Sequence, residues 1–112
     1  MTQWSSKKII EWYSAQEWLI GSNFLPSTAI NQLEMFQTET FDEKTIRKEL
    51  GLAKSLGFNS MRVYLHDLLW EIKDEFLINF EKFLSICEEK NIKPIIVLFD
   101  DCHRANPKLG AQ

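Results

Sequence analysis

Six apolar residues in a row, from Pro94 to Phe99, run directly into Asp100, Asp101, Cys102, His103 and Arg104. A half-solvated strand would alternate polar and apolar residues, whereas a continuous run suits a strand covered on both faces by helices. Such strands belong to parallel sheets, and in parallel α/β folds the carboxyl ends of the strands line the ligand site. The apolar run therefore predicts a parallel sheet and points to the polar cluster after Phe99 as part of a functional rim.

The rest of the chain supplies the crossovers such a sheet needs. Ser5 or Ser6 caps a first helix running to about Gln16, with Ile9, Ile10, Trp12 and Tyr13 on its apolar side. Residues 18–24 read as a first, buried strand, and a long connection with a helical turn near residues 30–36 follows. Asp42 opens a helix whose Ile46, Leu50, Ala53 and Leu56 form one stripe, closed by Gly57. In the second strand Met61, Val63 and Leu65 share one face, and Arg62, Tyr64 and His66 the other. A helix over about residues 74–90 presents Phe76, Leu77, Phe80, Phe83, Leu84 and Cys87 to the core. Pro94 then starts the third strand, where a missing N–H does least harm. The order helix–β–α–β–α–β predicts an α/β domain with parallel strands.

Composition excludes several classes. With 112 residues there is room for one small domain, and Lys+Arg 13 against Asp+Glu 16 leaves a net charge of −3 with no basic tract for nucleic acid. No apolar run approaches the roughly 20 residues that cross a bilayer, and no hydrophobic signal core opens the chain. Two cysteines without CxxC spacing give neither a disulfide framework nor a zinc motif. A cofactor-free protein is expected, cytoplasmic as the sequence stands or secreted where an N-terminal signal has been lost. Gly-rich phosphate loops and a GxSxG elbow are missing.

The predicted strands deliver Asn23, His66 with Asp67, and Asp100, Asp101 and His103 to one edge. Imidazole and carboxylate suit several divalent ions, but the spacing matches no specific metal motif and no metal is assigned. Mutual hydrogen bonding along the rim is the plainer expectation. Arg62, inside a strand, needs a partner, for which Asp100 or an acid outside the chain is the expectation, because an unpaired buried charge costs several kcal/mol. Trp18, Phe36 and Trp70 offer flat faces to a sugar or serve as plain core.

The segments "WLIGSNFLPSTAINQLEMFQTETFD", "ELGLAKSLGFNSMRVYLHDLLWE" and "KPIIVLFDDCHRANPKLGAQ" resemble the start of a bacterial group of clan A glycoside hydrolases, described as cellulase-like or 1,4-β-xylanase-like. The resemblance spans about residues 12–112. It implies the amino-terminal portion of a (β/α)8 TIM barrel, with residues 1–17 as a preceding helix and residues 18–112 as the first three strands and two helices. It also implies retaining hydrolysis of a β-linked polysaccharide by two Glu residues with carboxyl groups about 5 Å apart. Those glutamates belong to the fourth and seventh strands, so no catalytic residue is assigned here; Glu34, Glu39 and Glu71 lie in loops after the first two strands. Asn23, Arg62, His66, Asp100 and His103 are the implied substrate-binding residues, His103 resembling the third-strand histidine of family 5 enzymes. Arg62 would keep the absent nucleophile ionised. The chain by itself is expected to be inactive. The alternative is a small non-catalytic α/β ligand-binding or interaction domain that forms homo-oligomers through its open sheet edge.

Overall fold

The computed structural model of the protein describes residues 2–101 and 105–112. In chain order these form α1 (Ser6–Ser14), β1 (Gly21–Asn23), α2 (Gln32–Phe36), α3 (Glu43–Ser55), β2 (Ser60–Tyr64), a 3₁₀ helix (Asp67–Ile72), α4 (Lys73–Glu89) and β3 (Lys93–Val97). The three strands make one parallel sheet in the order β1-β2-β3. The fold is thus mixed α/β with an open parallel sheet, as the helix–strand alternation requires. Among the described residues no helix is long and apolar enough to cross a membrane.

Register explains which side chains meet. Asn23 of β1 stands opposite Arg62 of β2, which stands opposite Ile95 of β3. Alternation along β2 sends Met61 and Val63 into the core and Arg62 to the other face, where it is exposed. Helices α3 and α4 contact each other and share one core with Met61, Val63 and Leu65. Both crossovers therefore lie on the same face of the sheet, and among the described residues the opposite face is bare around Asn23, Arg62 and Ile95, all of which are exposed.

That asymmetry corrects the reading of the third strand. Its apolar run is not covered on both sides: Ile95 is 47% exposed, and beyond the strand Leu98 is 70% exposed. The first strand is also shorter and wetter than its composition suggests. Only Gly21–Asn23 pair as strand, all three are exposed, and Trp18 is 83% exposed. Asn59 holds the approach to it, donating from Nδ2 to the Trp18 carbonyl and accepting from the Ile20 N–H. Gly21 sits where a Cβ would fall 1.8 Å from the Ser60 carbonyl oxygen, so close passage of β1 along β2 excludes any larger residue.

Local sequence sets the helix ends. The Asp42 carboxylate accepts from the Thr45 N–H and hydroxyl, and these bonds hold its pKa below the usual carboxylate value. Gly57, at φ 95°, takes the left-handed position that follows the Leu56 cap, and Leu56, expected on the buried stripe with Ile46, Leu50 and Ala53, is instead exposed where the helix ends. In α4 the buried residues are Phe76, Asn79, Phe83, Ile86 and Cys87, whereas Leu77 and Leu84 point outward. Ile86 and Asn79 complete the inward stripe, which is rotated from the one expected. Helix α1 is capped by Ser5 but buries nothing; Trp4 meets Trp12 edge-on at 6.3 Å and Lys8 lies over the Trp4 ring.

Phe36 of α2 is the centre of the core. It is fully buried and meets Phe76, Phe80 and Phe83 edge-on, with ring centroids 5.7–5.8 Å apart. The buried Asn79 amide donates to the Phe36 carbonyl at 2.9 Å, so the short helix is tied to α4 by backbone as well as by ring. Truncating this side chain, Phe36→Ala, should cost about 3–5 kcal/mol. That approaches the whole stability of a small domain. Urea unfolding followed by circular dichroism should show the variant largely unfolded in buffer; a midpoint close to that of the parent chain would place the core elsewhere.

Candidate functional site at the carboxyl edge of the sheet

At the end of β1, Asn23 Oδ1 accepts a hydrogen bond of 2.8 Å from Arg62 Nε, and the guanidinium lies 5.2 Å from the Tyr64 ring centroid. The sequence suggests a buried cation with an acidic partner. Instead Arg62 is solvent-exposed on the bare face, and its hydrogen bond is to a neutral amide. Water relieves the desolvation cost that made an ion pair seem obligatory.

Beyond β2 the chain turns inward. His66, which alternation alone assigns to the Arg62 face, is only 5% exposed because it leaves the strand to cap the 3₁₀ helix. Its Nδ1 accepts from the Leu68 N–H at 3.1 Å and lies 3.0 Å from Asp67 Oδ1 and 3.6 Å from Asp101 Oδ1. Asp101 Oδ1 also accepts from the Asp67 N–H at 3.1 Å, so the loops after β2 and β3 are joined. The chain reaches this point through Phe99, held at φ 55°, a conformation that disfavours a bulky side chain. That turn lets the Asp100 N–H donate to the Leu65 carbonyl at 2.9 Å, with the Leu65 N–H donating to Val97 at the same distance.

The structure thus brings His66, Asp67, Asp100 and Asp101 to one rim and Asn23 with Arg62 to the neighbouring strand ends. His103 lies outside the described residues. Trp70 and Trp18 are exposed and Phe36 is core. Glu34 serves the loops: its carboxylate accepts from the Ile30 N–H at 2.8 Å and from the Gln112 N–H at 3.4 Å.

Two residues that sequence reasoning overlooked hold the rim together. Gln32 Nε2 donates to the Asp100 carbonyl at 2.7 Å, bridging α2 to the third-strand loop. Gln37, fully buried, donates to the Gly110 carbonyl at 2.8 Å and accepts from the Gly110 N–H at 3.1 Å, a two-point clamp on the distal tail. Asn31 Nδ2 donates to Gln112 Oε1 at 3.0 Å. The available signal was the run of amide and carboxylate residues, Asn31, Gln32, Glu34 and Gln37, in a segment otherwise full of core residues. Buried amides require partners, and no local element supplies them.

These links enclose a cleft of about 330 Å³ whose walls include Ile30, Gln32, His66, Asp101 and Gln112. An adjoining hollow of about 610 Å³ is lined by Asn23, Leu25, Met35 and Tyr64 among others, and shares Ile30, Asn31 and Gln32 with the first. Amide, imidazole, carboxylate and phenol groups over partly apolar walls provide both donors and acceptors for a neutral polar ligand. The Cys87 thiol, in contrast, is buried away from this edge in the core, and burial pushes its pKa up to about 12, which makes it inert as a nucleophile near neutrality.

Two outcomes follow from this geometry. Substituting Arg62→Met should change stability by no more than about 0.5 kcal/mol, because the side chain is exposed and its partner neutral. A loss above about 2 kcal/mol in urea titration would mean that the bare face is covered in solution. Substituting Gln37→Leu should speed deuterium exchange at Gly110 about tenfold or more while leaving β2 amides protected; unchanged exchange at Gly110 would show that the tail is held by other means.

No family model, no curated protein and no solved structure matches the chain.

Proposed function

We propose that this chain forms the first three strands of a (β/α)8 glycoside hydrolase acting on a β-linked polysaccharide. The observation that carries the reading is the one-sided winding. Strands follow one another in sequence order, both crossover helices share a single face, and the opposite face presents Arg62 and Asn23. A doubly wound sheet covers both faces with helices, whereas a barrel wall keeps helices outside and turns its other face inward.

In this reading Asn23, Arg62, His66 and Asp100, together with His103, line sugar subsites. Arg62, fixed by Asn23 and Tyr64, sets the charge environment of a nucleophilic carboxylate contributed by a later strand. Its positive charge favours the ionised form. The chain supplies binding groups and no glutamate pair, so it hydrolyses nothing unaided.

A second reading has its own support. Among the described residues both sheet edges are open, and Ile95, Leu98 and Phe99 are exposed beside one of them, as in a small binding domain that assembles through its strands. Titrating the isotope-labelled chain with soluble cello- and xylo-oligosaccharides, with light scattering on the same sample, separates the two. The glycosidase reading expects amide shifts confined to Asn23, Arg62, His66 and Asp100 and no release of reducing sugar. A discrete folded oligomer with no sugar-dependent shift would overturn it in favour of the assembly domain.

A further inference from the structure

We infer that residues 4–20, built around α1 at the amino edge of the sheet, form the surface through which two copies of this chain pair. From residue 2 to residue 23 no residue is buried. That stretch nevertheless holds three of the four tryptophans, Trp4, Trp12 and Trp18. In α1, Ile9, Trp12 and Tyr13 share one face at helical spacing with Ile10 beside them, and all four are exposed, Tyr13 at 70%. Trp4 folds back edge-on to Trp12 and extends the stripe toward the amino end. A nine-residue helix is too short to persist in water by its own hydrogen bonds, so its stripe calls for a partner.

The arm is held in place at its root. Gln16 Nε2 donates to the Trp12 carbonyl at 3.1 Å, and Gln16 Oε1 accepts from Lys93 Nζ at 2.9 Å, which ties the end of α1 to the start of β3. The Asn59 amide fastens Trp18 and Ile20 at the entry to β1. An apolar surface positioned before binding loses less freedom on association.

Its size fits a dimer. Scaled from about 150–250 Å² for a whole aromatic side chain, the exposed parts of Trp4 and the α1 stripe, with Trp18, Leu19 and Ile20, come to roughly 1,000 Å². The largest apolar patch on a typical monomer is about 300–600 Å², whereas a standard interface takes about 800 Å² from each partner. Charge favours a second copy over an anionic lipid surface. Lys7 pairs with Glu11 at 3.9 Å, and Lys8 is balanced by Glu17, so the arm carries no net positive charge for lipid headgroups. Both lysines lie toward one end of the arm and Glu17 toward the other. Two arms running antiparallel about a two-fold axis therefore set a basic end against an acidic end. This edge lies opposite the rim, so pairing leaves the cleft open and does not rest on the glycosidase reading.

Sedimentation equilibrium of the whole chain over a dilution series should show a monomer–dimer equilibrium, with tryptophan emission moving to the blue as dimer forms. Trp12→Glu and Tyr13→Glu should each weaken the dimer about tenfold or more. Because α1 buries nothing, the urea midpoints of both variants, measured as monomers, should match that of the monomeric parent chain. Ile95→Glu, on the sheet, should leave dimerisation unchanged. A parent chain that stays monomeric at every concentration would overturn the proposal, and blue-shifted emission of that monomer on vesicles of phosphatidylserine and phosphatidylcholine would assign the arm to lipid instead. Dissociation by Ile95→Glu, with no effect of Trp12→Glu or Tyr13→Glu, would overturn it in favour of pairing through the open strand edge.

Discussion

Phe36 is the point at which the core and the rim depend on one another. Its ring occupies the space among Phe76, Phe80 and Phe83, and its carbonyl accepts from the buried Asn79 amide. Because α2 is only five residues long, it has too few internal hydrogen bonds to persist by itself. Burial of this one aromatic therefore positions a segment that also carries Asn31, Gln32 and Gln37. Those three amides fasten the third-strand loop and the tail, and with them the cleft beside His66. Damage to the core at Phe36 should thus be felt first in the arrangement of polar groups at the opposite end of the same short helix.

The order of elements and the parallel sheet were legible in the sequence because they rest on periodicity. The Ile46–Leu50–Ala53 stripe, the Asp42 cap, Gly57 and the alternation through Met61, Val63 and Leu65 each record a local steric or hydrogen-bonding requirement. Burial was less legible. An apolar run such as residues 95–99 states that a face is suited to a partner, and it cannot state whether that partner lies within the same 112 residues. The same limit applies to Trp18, Leu19 and Ile20, which look like strand core and are exposed.

The candidate site was legible in outline for the same topological reason: residues that follow parallel strands share an edge. Its internal bonding was not. Arg62 looks like a buried charge only if the bare face is closed, and His66 is buried because a 3₁₀ turn rotates it out of the strand's alternation. The Gln37–Gly110 clamp joins residues 73 positions apart, a separation that carries no periodic signal. Long-range pairs between amides are invisible to any pattern that runs along the chain.

Pro94 occupies a telling place on the outer strand. The Lys93 N–H donates inward to the Asn59 carbonyl, so alternation directs the next main-chain nitrogen outward, and at Pro94 that nitrogen carries no hydrogen. A stray strand approaching this side finds a missing donor at its first register position, flanked by the exposed charge of Lys93. Extension of the sheet is left to the outward groups further along β3. The outer edge of β3 thus begins with one main-chain donor fewer than any other residue in place of Pro94 would present.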